Sequence, residues 1–382
     1  VRAAVSGILV VIGAGCGRVG PADSAGQLGS SLQALLDSTF AANTTKVPGL
    51  ILRVEAPSLG LAWSGAVGSF DKATGEKLRA EHTVRMASNT KTYIATAILR
   101  LVEQGRIGLD SAAARYSTTA SVAALRRGGY DPATITIRHL LNHTSGLFDY
   151  AMAEAYFNAV SRDFSHRWTR QEQLGYAVDS GKPVGKPAEV YHYSDTGYIL
   201  LGEIIETVSG KPMGTAVREL IGFDRLGITS TYFESLDSVP PGTPARAHQY
   251  LDTADTYHLD PSHDLYGGGG LVSNVENMAR FYRALVRGEI FEKKETLDAM
   301  LLMTPQSEKD RPGGYGMGIG RSKMGELTCY GHSGYWGTAV RHCPEADLTV
   351  AVAMNRSPME SAPMGPLANA AVKLVTAAMA NR

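Results

Sequence analysis

Between Tyr93 and Val102 the apolar residues recur at three- and four-residue spacing, and Gly105 follows as a stop. This predicts a helix whose N-terminus falls at or just after Ser88. Helical patterning also covers Leu28–Phe40, Thr196–Val208 and Pro366–Ala380, the second closed by Gly210 and Pro212. Two capping boxes, Thr169 to Glu172 and Ser273 to Glu276, open further helices. Leu50–Glu55 and Leu61–Val67 read as strands joined by the turn Pro57–Gly60, and Leu327–Ser333, Gly337–Cys343 and Leu348–Met354 read as three more. The order is helix, strands, a long mostly helical insert, strands, helix. It predicts an α/β (α+β) chain of two lobes. One, residues 26–86 and 272–382, is an antiparallel sheet flanked by terminal helices; the other, 87–271, is helical, with a cleft between them.

Charge narrows the choice of partners. Over 382 residues the formal net charge is zero, and Lys and Arg are spread without runs. No nucleic acid or polybasic membrane surface is expected. Residues 1–25 are set apart as an export segment: Arg2 precedes small and apolar residues from Ala3 to Gly15, a run too short to span a bilayer but suited to a signal-peptide core. Cys16 follows Gly13-Ala14-Gly15, so membrane anchoring through a lipidated Cys16 is one outcome, although Gly13 stands where such sites usually carry Leu. Simple cleavage before Gln27 is the other. Both place the protein outside the cytoplasm.

Ser88 and Lys91 are the first candidates for chemistry. On a helix they share a face one turn apart, and a Ser-x-x-Lys pair serves acyl-transferring hydrolases. The hydroxyl needs a base, and a lysine is a base only if its surroundings lower its pKa from roughly 10.4. The chain holds the pattern twice, but Ser69 to Lys72 leads into the turn Ala73-Thr74-Gly75, whereas Ser88 opens an apolar helix. An ordinary N-cap serine is the competing reading. His139 and His143 have metal-ligand spacing without an evident third ligand, so hydrogen-bonding roles are preferred. Gly267–Gly270 has no following Lys and reads as close backbone packing, not a phosphate loop. Tyr191 and His192 read as packing or rim residues, and Trp336 as either cleft lining or a buried hairpin aromatic. No metal or cofactor is expected.

Two later stretches, Tyr193-Ser194-Asp195 and His332-Ser333-Gly334, follow Ser88-x-x-Lys91 in order. With Leu140–Leu147, Gly268–Ser273 and Tyr315–Gly318, they make the chain similar to the β-lactamase/transpeptidase-like serine hydrolases. It resembles most the branch of class C β-lactamases, D-alanyl-D-alanine carboxypeptidases, D-aminopeptidases and esterases. The resemblance implies that Ser88 is acylated and that Lys91 and Tyr193 handle the proton, Tyr193 as phenolate or as relay to the leaving group. It puts His332 in the place of a lysine among the catalytic residues, with the task of hydrogen bonding and orienting Tyr193. The N–H groups of Ser88 and Tyr335 would hold the oxyanion, and Ser333, Gly334 and Asp195 would meet the substrate, Gly334 leaving room for the acyl group. Asp195 departs from the usual Asn: an ionised carboxylate only accepts hydrogen bonds, which counts against efficient β-lactam hydrolysis. It could instead hold Lys91 or a substrate amine. The implied function is that of a D-alanyl-D-alanine carboxypeptidase-like enzyme or D-amino-acid amidase/peptidase acting on a small-molecule or peptide substrate. The alternatives are an esterase or transacylase on small acyl esters and a non-catalytic penicillin-binding scaffold. Oligomeric state is left open.

A hairpin turning about Tyr335-Trp336 would set Cys329 opposite Cys343. A disulfide there is one reading, and two free thiols displaced by a one-residue register shift the other.

Overall fold

The computed structural model describes residues 21–357 and 363–381. Most of the expected export segment, with Cys16, lies outside the described residues. Residues 21–25, expected to belong to that segment, open the first helix, α1 (Pro21–Ala41). Among the described residues no helix is long and apolar enough to cross a membrane.

The organising layer is a six-stranded antiparallel sheet: β1 (Gly49–Ala56), β2 (Leu61–Gly68), β3 (Gly320–Met324), β4 (Leu327–Gly334), β5 (Thr338–Cys343) and β6 (Leu348–Met354), in the order β2-β1-β6-β5-β4-β3. Pairing of β1 with β6, Leu50 opposite Met354 and Val54 opposite Val350, joins the two ends of the chain. Side chains alternate between faces with period two. Leu50, Leu52, Val54 and Val350 pack under α1 and the C-terminal helix, through Leu32, Leu36, Leu367 and Val375. Ile51, Val340, Ala351 and Ala353 face the other way, onto Ile94, Ile98, Phe281 and Leu285. Each fully buried Leu, Ile or Val among them stabilises the fold by about 1.5–3 kcal/mol.

The helix predicted after Ser88 is α2 (Thr90–Glu103), and it is buried nearly all round. A helix apolar on every side belongs in a core. It packs against α3 (Asp195–Ser209) on the helical side, and the inner sheet face is covered by α4 (Val275–Val286). The C-terminal helix is α5 (Met364–Ala380).

Two local expectations shift. The cap of α4 is Asn274, whose side chain accepts from Asn277 N–H, while the Ser273 hydroxyl is taken by Thr231 at 2.7 Å. Strand β3 was not expected: Gly320-Arg321-Ser322-Lys323-Met324 has no clean alternation because it is a charged edge strand.

The β4–β5 register sets His332 opposite Val340 and Tyr330 opposite His342. Cys329 and Cys343 continue that register and form a disulfide. Their separation of 14 residues gives an upper stabilisation near ~3 kcal/mol in the chain-entropy model, and less here because the hairpin already restrains the loop. Cys329→Ser/Cys343→Ser is expected to melt several degrees lower than the parent. Non-reducing peptide mapping checks the bond itself, and two alkylatable thiols would refute it.

Candidate active site

Ser88 lies in a tight turn, Ala87–Asn89, that runs directly into α2. Ala87 has a left-handed backbone, φ +47°, which costs a non-glycine residue about 1–2 kcal/mol. Contacts from the sheet hold the turn: the Thr338 hydroxyl lies 2.9 Å from Met86 O and 2.8 Å from the Asn89 carboxamide, which also accepts from Gly334 N–H and donates to His332 O. Strand β4 comes so close that a Cβ on Gly334 would lie 1.9 Å from Met86 O. Gly334 is therefore required by the seating of the nucleophile turn on the strand.

Lys91 is fully buried, one turn beyond Ser88. Its Nζ donates to Ser88 Oγ at 2.9 Å and to Gly268 O at 2.6 Å, and pairs with Asp195 Oδ1 at 2.7 Å. An ammonium has three N–H groups, and each has an acceptor. The glycine run makes this possible. A Cβ on Gly268 would lie 3.0 Å from Asp195 Oδ2, and one on Gly269 2.3 Å from Asp264 Oδ1. The run continues as a short strand, Leu271–Ser273, paired with Val84–Arg85 just before the nucleophile turn.

Tyr193 and Asp195 are held by the segment 143–150. His192 N–H donates to His143 O, Ser194 N–H to His143 Nδ1, Asp195 N–H to Asp149 Oδ1, and the Thr196 hydroxyl to Phe148 O. Lys91 Nζ sits 5.0 Å from the Tyr193 ring centroid. Burial first, then the Asp195 carboxylate, push the Tyr193 phenol well above its ordinary range, outweighing a hydrogen bond with Ser88 that acts the other way. Of the two roles expected of Tyr193, the phenolate is thus disfavoured, by burial first and by Asp195 second. A neutral phenol that passes a proton fits the site.

His332 is neutral as well, held well below its usual range by burial and then by Lys91. Its Nδ1–H donates to Ser333 O at 2.7 Å, and its Nε2 accepts from the Tyr315 hydroxyl at 2.9 Å. Both nitrogens are occupied, and among the described residues it makes no hydrogen bond to Ser88 or Tyr193. The contribution of His332 is to tie β4 to the Tyr315–Gly318 stretch. That stretch reaches α2, where Gly318 O accepts from the Thr92 hydroxyl. Tyr335 opens the turn after β4, and its N–H has no acceptor among the described residues. Ser88 stands in the first helical turn, where N–H groups lack intrahelical acceptors. The Ser333 hydroxyl accepts from Arg341 at 3.1 Å.

Sequence reasoning missed two carboxyls. Asp149 and Asp264 are each raised to about 7 by burial and then by the charge of Asp195. Asp149 lies two residues beyond the quoted Leu140–Leu147 stretch, but nothing in the order of residues around Asp264 marks it. The other candidates fall elsewhere. Ser69 sits in an isolated bridge with Lys77, away from any helix start. His139 closes a capping box on the helix Ile137–Leu141. Trp336, 3% exposed, packs on Ala87 and Leu259.

The class of protein in which such a serine, lysine and tyrosine have a use is the acyl-transferring serine hydrolases. Residues 56–373 match the Beta-lactamase family, and the chain belongs to it. Penicillin-binding protein 4* of Bacillus subtilis is 27% identical over 68% of this chain and 57% of its own length. Esterase EstB of Burkholderia gladioli is 29% identical over 54% and 53%. This chain therefore spans less than two thirds of these curated relatives. The D-amino acid amidase of Ochrobactrum anthropi SV3, solved with L-phenylalanine amide, superposes with a TM-score of 0.74 at 26% identity, covering 93% of this chain and 99% of the other.

Proposed function

We propose that the protein is an exported serine amidase that acylates Ser88 and prefers D-amino-acid amides or short D-amino peptides with a free amine. The observation that carries this is the acidic surround of Lys91. Asp195 neutralises the lysine, and Asp149 and Asp264 add charge beside it as they ionise. A cationic amine is attracted there and an anionic substrate is not. The similarity to an amidase solved with an amino-acid amide supports the same class. Export rests on the character of residues 1–25 and on the disulfide, which persists in oxidising compartments. Ser88 Oγ attacks the carbonyl as its proton passes to the Tyr193 oxygen and the Tyr193 proton passes to the leaving amine, while the Ser88 and Tyr335 N–H groups take the developing oxyanion; water then hydrolyses the acyl-Ser88 ester through the same relay and restores both hydroxyls. A panel of D-amino-acid amides, D-alanyl-D-alanine peptides, p-nitrophenyl esters and a chromogenic cephalosporin tests the proposal; no turnover of any amide sinks it.

The second reading is an esterase on small acyl esters. It is favoured by the Asp195 side chain, whose carboxylate has no N–H to offer an amide substrate, and is the outcome if only esters turn over.

Two predictions follow from the acidic groups. Asp149 and Asp264 ionise as pH rises through about 7, whereas an α-amine stays charged to about pH 8. KM for an amide with a free amine is therefore expected to fall between those values, while KM for a neutral ester stays flat. Parallel KM profiles would refute this. Asp195→Asn supplies an amide donor in place of the carboxylate, and is expected to raise the ratio of cephalosporin to ester hydrolysis. A parent enzyme faster on cephalosporins than on every ester would overturn that.

A further inference from the structure

The two backbone N–H groups that flank Tyr193 end on one residue. His192 N–H donates to the His143 carbonyl at 2.8 Å, and Ser194 N–H donates to His143 Nδ1 at 3.1 Å. The same imidazole lies against the Tyr193 ring, with centroids 4.2 Å apart, and also touches the rings of Tyr198 and Tyr315. His143 is 1% exposed.

The arrangement is costly to hold. The backbone at His143 is left-handed, φ +60°, a penalty of about 1–2 kcal/mol outside glycine. With Nδ1 accepting, the ring proton sits on Nε2, which is buried and has no hydrogen-bond partner among the described residues. A buried donor left unmade costs a further ~1–3 kcal/mol. A satisfied packing histidine would show neither cost. Strain that the surrounding structure over-determines clusters where geometry matters to function, and what this geometry places is the residue between the two bonded amides.

We propose that His143 is the positioning residue for Tyr193: as the neutral Nε2–H tautomer it clamps both neighbouring amides and backs the phenol ring, setting the hydroxyl toward Ser88 and Lys91. Burial, then the nearby Lys91 cation, keep the imidazole well below its usual range, so Nδ1 stays free to accept. The inference rests on the reading of Tyr193 as part of the proton path.

Three variants separate this from a merely structural role. His143→Asn keeps an acceptor at the δ position and tolerates a left-handed backbone. His143→Phe keeps an aromatic ring but has no acceptor. His143→Ala serves in place of His143→Phe if the latter does not fold by circular dichroism. With a D-amino-acid amide, His143→Phe is expected to lower kcat by about 10- to 100-fold, the scale of a small misplacement of a reacting group, and to leave KM within a few-fold. His143→Asn is expected to restore most of kcat. In a Tyr193→Phe background, His143→Phe should cost almost nothing more. Equal losses in His143→Asn and His143→Phe, or a loss that multiplies with Tyr193→Phe, would overturn the assignment. Undiminished kcat in Tyr193→Phe alone would instead overturn the reading of the site, and this inference with it.

Discussion

Ser88→Ala is expected to abolish acyl transfer, with a fall in kcat of about 10³-fold or more by analogy with loss of a serine-hydrolase nucleophile. The size follows from the absence of a substitute. The other Ser-x-x-Lys serine, Ser69, lies in a bridge away from any helix start. The hydroxyls of Thr90 and Thr92 are already committed, Thr90 Oγ1 accepting from Leu271 N–H and Thr92 Oγ1 bonded to Gly318 O and Tyr282. The fold should survive, because the change removes one oxygen from the turn. Lys91 then loses one of three acceptors and keeps Gly268 O and Asp195. A reactive ester or fluorescent penicillin should label the Ser88 peptide in the parent and nothing in the variant, by mass spectrometry. A label on Ser69, or undiminished turnover, ends the assignment.

Much of this site was legible in the sequence, and the reasons are local. The Ser88 turn and α2 announce themselves through periodicity, and the strands that build the sheet alternate visibly, because each buries one face. Strand β3 escaped because an edge strand need not alternate. The position of Tyr193 came through resemblance alone. Nothing in Tyr-Ser-Asp marks a reactive phenol, and its placement depends on hydrogen bonds that its neighbours donate to residues some fifty positions earlier. Electrostatics was the least legible part. Whether Asp195 meets a substrate or Lys91 is decided by a 2.7 Å contact between helices far apart in sequence. Burial, and then the Asp195 carboxylate, disfavour the phenolate among the two roles expected of Tyr193 and leave the relay. Asp264 joins the site only because Gly269 lacks a side chain.

Lys91 and Tyr193 are expected to fail as a unit. If one proton path runs from Ser88 through this pair to the leaving group, Lys91→Ala and Tyr193→Phe should each remove most turnover, and the double variant little more. Losses that multiply would show separate roles. Lys91→Ala carries a complication that the structure resolves. Asp195 is only 8% exposed and has Lys91 as its cation. Removing one partner of a buried pair costs about 3–5 kcal/mol, so lost activity could reflect lost folding. Lys91→Ala/Asp195→Asn takes away the stranded carboxylate together with the lysine. Its melting temperature is expected to recover most of the way toward the parent while its turnover stays as low as that of Lys91→Ala. Recovery of turnover along with stability would mean that Lys91 serves the fold and not the reaction, and that the proton path from Ser88 runs through Tyr193 without it.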